Sequence, residues 1–274
     1  MRKLVAFFSS NKKWNIALWI VMALFLLFAF IAIDSKENNL RIRNIRITIL
    51  PNNELSFLDS GSILALVKGN TPNMMIIGNR MGEMKIDIME ENLERNPFVE
   101  RADIATDLAG NMHIKIFQRS PLLRVFNSIG QSYYVAKNGY KIPLNEAYTA
   151  RVITASGNIP ESLTDSGFAK TTILNDLYRI ADYCASDKFW EAQIEQLYVD
   201  NYNDILLIPK VGNHSIVFGS AQDMEDKFER LKLFYFKGLN NIGWNQYKTI
   251  NVKFKDQIVA ERTGVEIIAA DTAR

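Results

Sequence analysis

The chemistry open to this chain is bounded by two histidines and one cysteine. A transition-metal site built from nitrogen and sulfur generally needs three or four such ligands, so little material exists for one. His113 sits between Met112 and Ile114 beside Lys115, on a segment that alternates like a strand. That places it on a strand face, solvated or hydrogen-bonded, rather than as a general base. His214 follows Gly212-Asn213 and reads as a turn or strand-edge residue. Cys184 completes an apolar helical stripe and reads as a small buried hydrophobe. It has no second cysteine with which to close an internal disulfide. Asp87, Glu90, Glu91 and Glu94 crowd one stretch. Paired carboxylates can run acid–base chemistry, but a solvated acidic helix face is the simpler account. Met74, Met75, Met81, Met84 and Met89 read as loop and core filling rather than as a soft-metal site. No G-x-S-x-G, H-E-x-x-H, S-x-x-K or glycine-rich phosphate loop occurs. The expectation is a protein that is not an enzyme and carries no cofactor.

The elements that would position these residues begin with an unbroken apolar run from Ile16 to Ile33. At about 1.5 Å per residue it spans roughly 27 Å, close to the hydrocarbon thickness of a bilayer. Trp14 and Trp19 lie near its entry side, where indoles favour the interface. The run exceeds a signal-peptide core and lacks a small-x-small cleavage site before Asp34. Residues 14–33 are therefore expected to be an uncleaved transmembrane helix in contact with membrane lipid. Lys12-Lys13 abuts it and the tail 1–13 is short. Those two features favour an inside N-terminus and an exported domain, although basic residues on the two sides balance. The 274 residues, 48% hydrophobic and 23% charged, leave ample chain for a globular part. A net charge of +2 gives no argument for nucleic acid.

Beyond the apolar run, Ile45, Ile47 and Ile49 alternate with Arg46 and Thr48 as in a half-buried strand. A helix is expected from Ser56 to Val67, ending near Lys68-Gly69-Asn70. A loop over 71–82 leads to a second helix with Ile86, Met89, Leu93 and Asn96 on its apolar stripe, stopped by Pro97. Strands Val99–Asp107 and Met112–Gln118 flank a turn at Leu108-Ala109-Gly110-Asn111. Strand, helix, helix, strand, strand is an α+β order.

After Arg119-Ser120-Pro121 the pattern is mostly strands, expected at Leu122–Phe126, Ser132–Ala136, Tyr148–Ala155, Ile194–Val199, Asp204–Pro209 and His214–Phe218. Asn138-Gly139 marks a hairpin. Two long helices interrupt. The first, Thr171–Ser186, carries the stripe Ile173, Leu177, Ile180, Ala181 and Cys184. The second opens at Ser220 with Asp223 closing a capping box, buries Met224, Phe228, Leu231 and Tyr235, and ends at Gly238. A last long strand, Thr249–Ala260, mixes aromatic, aliphatic and basic side chains. It is either a paired central strand, an edge guarded by Lys253 and Lys255, or an edge that accepts a partner strand.

Several segments in this order carry a family resemblance. Asn96-Pro97-Phe98-Val99 with Ala102, the run Ile114 to Pro121, Tyr133-Tyr134-Val135 with Asn138-Gly139, and Tyr247 to Arg262 together resemble the bacterial FtsQ/DivIB family. The wording of QRSPLLRVFN, GQSYYV and YTARV is most similar to its Bacteroidetes branch. The resemblance implies an α+β architecture of one transmembrane helix (14–33), a POTRA-like β-α-α-β-β module (40–119) and a strand-rich mixed β domain (120–262), with tails at 1–13 and 263–274.

It also implies an essential, non-enzymatic division scaffold of the inner membrane. Its N-terminus would be cytoplasmic, its C-terminal domain periplasmic, and its place the mid-cell septum. FtsB-like and FtsL-like membrane coiled-coil proteins and other divisome components would be its partners, bound by strand addition at the terminal strand. The contact would comprise Asn251, Lys253, Phe254, Lys255, Gln257, Ile258 and Val259. Lys253 matches a basic and Phe254 an aromatic contact residue of the family, whereas Asp256 and Gln257 depart from its small residues. The alternatives are a periplasmic assembly or transport module and a membrane-anchored cell-wall enzyme.

Overall fold

The computed structural model describes residues 16–28, 40–51, 57–69, 75–145, 148–164 and 172–264. Residues 16–28 are helical, with exposed side chains throughout. Among the described residues no helix is long and apolar enough to cross a membrane. The expected span 14–33 is thus described only in part. Its flanks, the tail 1–13, Ser56, Met74, Thr171 and residues 265–274 lie outside the described residues.

The chain divides into two compact units, Met1–Gln118 and Arg119–Arg274. In the first, β1 (Asn44–Leu50), α1 (Ser60–Lys68), α2 (Ile86–Glu94), β2 (Val99–Thr106) and β3 (Asn111–Gln118) follow in the expected order. The sheet order is β1-β3-β2, with β1 parallel and β2 antiparallel to β3. Helix α1 starts at Ser60 rather than Ser56 because Asp59 caps it, accepting from the Ser62 N–H at 2.6 Å. Met89 and Leu93 bury against Ile63, Val67, Met112, Ile114 and Ile116 as the stripes require. The β2–β3 turn closes on Asp107, whose Oδ1 accepts the N–H groups of Ala109 and Asn111, both at 2.9 Å. Gly110 takes φ 86° there, and a Cβ on it would fall 2.5 Å from the Arg41 carbonyl oxygen.

The second unit contains β4 (Pro121–Phe126), β5 (Ser132–Ala136), β6 (Lys141–Ile142), β7 (Ile153–Gly157), α3 (Thr172–Ser186), α4 (Lys188–Gln193), β8 (Ile194–Val199), β9 (Ile205–Pro209), β10 (Ser215–Gly219), α5 (Met224–Phe234), β11 (Tyr247–Asn251) and β12 (Val259–Arg262). Among the described residues these strands form one sheet in the order β12-β11-β10-β9-β8-β7-β4-β5-β6. Parallel neighbours need a crossover. Helices α3 and α4 supply it between β7 and β8, and α5 supplies it between β10 and β11. The helices bury Leu177, Ile180, Cys184, Phe228 and Leu231 against Val125, Leu197, Leu207 and Phe218 of the sheet.

The structure departs from several sequence expectations. Helix α4 was not foreseen: Asp187 caps it through Phe189 and Trp190, and at six residues it is too short to show a period. Helix α5 begins at Met224, with Asp223 left-handed at φ 49° and no side-chain cap, so the capping box does not form. It continues through Gly238 in a π-helical stretch, Tyr235–Leu239, and the chain leaves helix only at Gly243, φ 107°. The strand expected from Tyr148 begins at Ile153. Finally, the long strand Thr249–Ala260 is two strands. Asp256, at φ 58°, reverses the chain, and β12 returns antiparallel along β11.

Candidate functional site

β11 is an interior strand, paired with β10 on one side and β12 on the other. The Val252 N–H donates to Val217 O on the β10 side, and the Thr263 N–H donates to Gln246 O on the β11 side. Backbone groups alternate in direction along a strand. The Glu261 N–H therefore faces β11, while the N–H groups of Ala260 and Arg262 face outward. β12 ends the sheet order, so this outer edge carries no further strand among the described residues.

Two other sheet edges, at β6 and β2, are treated differently. β6 is two residues long, and its Lys141 is buried, donating to Ser162 O at 2.8 Å. That is a blunted edge. At β2, Glu90 Oε1 accepts the Ile104 N–H at 2.6 Å and Glu94 Oε1 accepts the Ala102 N–H at 3.1 Å. Carboxylates one helical turn apart, about 6 Å along the axis, match alternate strand amides about 6.6 Å apart. Helix α2 thus closes this edge in place of a strand. The acidic cluster is accordingly split: Glu90 and Glu94 bind backbone, and Glu91 pairs with Arg95 at 2.8 Å.

The seven expected contact residues fall on the β11–β12 hairpin but play unlike parts. Asn251 ends β11 opposite Val259, and its Oδ1 accepts the Lys253 N–H at 3.0 Å. Lys253 turns back, its ammonium 2.6 Å from Asp204 Oδ2. Phe254, Lys255 and Gln257 are exposed at the turn, Phe254 by 49%. Ile258 packs partly against the core, and Val259 opens β12 with 52% exposure. Sequence reasoning missed Arg230, Asp204, Ala260 and Arg262. The first two lie on other elements, and the last two matter through backbone direction, which side-chain pattern does not encode.

Beside the hairpin lies a cleft of about 650 Å³ lined by Asn203, Asp204, Asp223, Lys227, Arg230 and Asp256 among others. Asn203, Asp223 and Asp256 are the non-glycine residues with left-handed φ among the described residues. Lys227 is 6% exposed, donates to Ser220 O at 2.9 Å, and has its pKa lowered chiefly by burial.

The other titratable candidates are structural. His113 Nε2 lies 3.2 Å from Asp107 Oδ2, half-buried on its strand. Hydrogen bonds from Asn111, then His113, hold the Asp107 carboxyl well below the usual range. His214 stands between the bend at Gly212-Asn213 and the start of β10, as expected, and is buried; its Nε2 is 2.8 Å from the Tyr235 hydroxyl, and burial lowers its pKa. Cys184 is fully buried, and burial pushes its thiol up to about 12. Among the described residues no group of three or more His, Cys, Asp or Glu is placed to hold a metal ion.

Comparison with known proteins bears on both units. The family model described as FtsQ/DivIB, C-terminal related, matches residues 120–261, and a POTRA-like domain model matches residues 41–117. The chain is 22% identical over 188 residues to a protein of Geotalea daltonii named cell division protein FtsQ. That match covers 68% of this chain and 66% of the relative, just under two thirds of its length.

Proposed function

This chain belongs to the FtsQ/DivIB family, and we propose that it is a non-enzymatic cell division scaffold that captures FtsB-like and FtsL-like coiled-coil partners by strand addition to the outer edge of β12. The observation that carries the proposal is the contrast between the β12 edge and the edges at β2 and β6. β12 offers the outward N–H groups of Ala260 and Arg262, whereas β2 is closed by Glu90 and Glu94 and β6 is cut to two residues. Proteins ordinarily blunt exposed strand edges, so a long sheet with one blunted end and one open end favours strand addition at the open one.

In this reading the side chains divide the work. Phe254, Lys255 and Val259 are exposed beside the added strand and supply its side-chain contacts. Asn251, Lys253 and Ile258 hold the hairpin, and Gln257 does so through its carbonyl. Residues 14–33 anchor the chain once through the inner membrane, with the N-terminus cytoplasmic and residues 40–262 periplasmic at the division septum. The POTRA-like unit serves recruitment of other divisome components.

The test is Ala260→Pro against Ala260→Ser in the full chain, read by co-purification with FtsB-like and FtsL-like partners. Proline is tolerated where the strand N–H faces away from its own sheet, so the hairpin should survive. It removes one outward donor and crowds the edge, so capture should fall by about tenfold or more, while serine retains it. Undiminished capture by the proline variant would sink the strand-addition reading.

A further inference from the structure

The cleft beside the hairpin has one guanidinium at its centre of attachment. Arg230 of α5 has a side chain only 17% accessible. Its Nη1 donates to Phe254 O at 3.0 Å and to Gln257 O at 2.6 Å, and its Nη2 donates to Val252 O at 3.3 Å. Its Nε donates to Asp226 Oδ2 at 3.0 Å, which fixes the plane of the fork from one helical turn away. Three carbonyls of the β11–β12 connection are thus gathered on one cation.

Converging carbonyl dipoles repel one another and are costly to leave without a donor. The other attachments, Lys253 to Asp204 and Asn251 to the Lys253 N–H, secure only the start of the connection. Arg230 alone among these ties its first residue, Val252, to Gln257 beside the start of β12. The connection also carries Asp256 in the left-handed region, a conformation that persists only where its surroundings enforce it.

We propose that Arg230 is the positioning residue that sets the β11–β12 turn and so holds β12 in register with its outer edge presented. The proposal rests on the strand-addition reading for its functional meaning, but its geometry stands apart from it. A planar five-donor fork is required to reach three carbonyls and a carboxylate together. The point charge of lysine on a flexible stem cannot reproduce that.

The experiment compares the full chain with Arg230→Lys, Arg230→Ala and Asp226→Ala by amide hydrogen exchange, alongside capture of the FtsB-like partner. Exchange at Glu261 and Thr263, whose N–H groups face β11, should rise about tenfold in both Arg230 variants. It should rise less in Asp226→Ala, and β8 and β9 should keep the parent rates. Partner capture should fall in parallel. Parent-like exchange at Glu261 and Thr263, or full restoration by lysine, overturns the role assigned to the fork. Faster exchange with undiminished capture upholds Arg230 as the clamp and overturns strand addition at β12 instead. Should Arg230→Ala fail to fold, Arg230→Lys and Asp226→Ala still decide the matter.

Discussion

At the scale of single residues, burial decides behaviour more than residue type does. Cys184 is chemically a nucleophile, yet its thiol is held at about 12 by the apolar helix–sheet interface. The folded chain thus keeps the proton that the unfolded chain loses near its ordinary value of 9.0. The neutral thiol's contribution is complete below that value and is lost as pH rises from there towards 12, at up to about 1.4 kcal/mol per pH unit. Urea midpoints measured from pH 8 to 11 should therefore fall less steeply for Cys184→Ala than for the parent. A thiol reagent at pH 8 should label the folded parent only as fast as it unfolds. Asp107 runs the other way. Its lowered pKa means that the stability its turn-closing bonds contribute is complete above the ordinary carboxylate value and is lost as pH falls from there towards the lower value of the folded chain. Asp107 was legible as the last residue of a strand, but not as the acceptor that closes the turn after it, because that role depends on which N–H groups converge on it.

At the scale of elements, the helix α2 and strand β2 show how one period substitutes for another. Glu90 and Glu94 present carboxylates at nearly the spacing of alternate strand amides. Replacing both by alanine leaves the N–H groups of Ala102 and Ile104 without acceptors and frees an edge. Their exchange should accelerate about tenfold, and the variant should self-associate at concentrations where the parent is monodisperse. Size-exclusion chromatography at rising concentration checks this. Unchanged elution and unchanged exchange would mean that water replaces the carboxylates without consequence. The acidic run was visible in the sequence as a helix face. Its partner was not, since nothing local tells a solvated glutamate from one reaching a strand edge.

At the scale of the whole molecule, the described residues form two apolar cores. One is centred on Ile63, Leu93 and Ile114, the other on Trp190, Leu197 and Phe228. A unit with its own core folds on its own terms. Polypeptides spanning 40–118 and 119–264, made separately, should each give a cooperative thermal transition. Trp190→Ala should lower the second by about 3–5 kcal/mol and leave the first unmoved. Loss of cooperativity in either piece would show that the units depend on one another for folding.

Sequence alone determined the kinds and order of most elements, because period-2 and period-3.6 patterns depend on near neighbours. The stripes Met112-Ile114-Ile116 and Leu177-Ile180-Cys184 are buried as the patterns required. It also placed a terminal strand region over Tyr247 to Arg262. Only the tertiary structure decided that this region doubles back at Asp256, that β11 is interior, and that the open edge belongs to Ala260 and Arg262. The reason is physical. A continuous alternating run is equally consistent with one long strand or two short ones. The choice was made by a guanidinium on a helix some twenty residues earlier and a carboxylate, Asp204, on another turn. Contacts between distant segments leave no period in the chain.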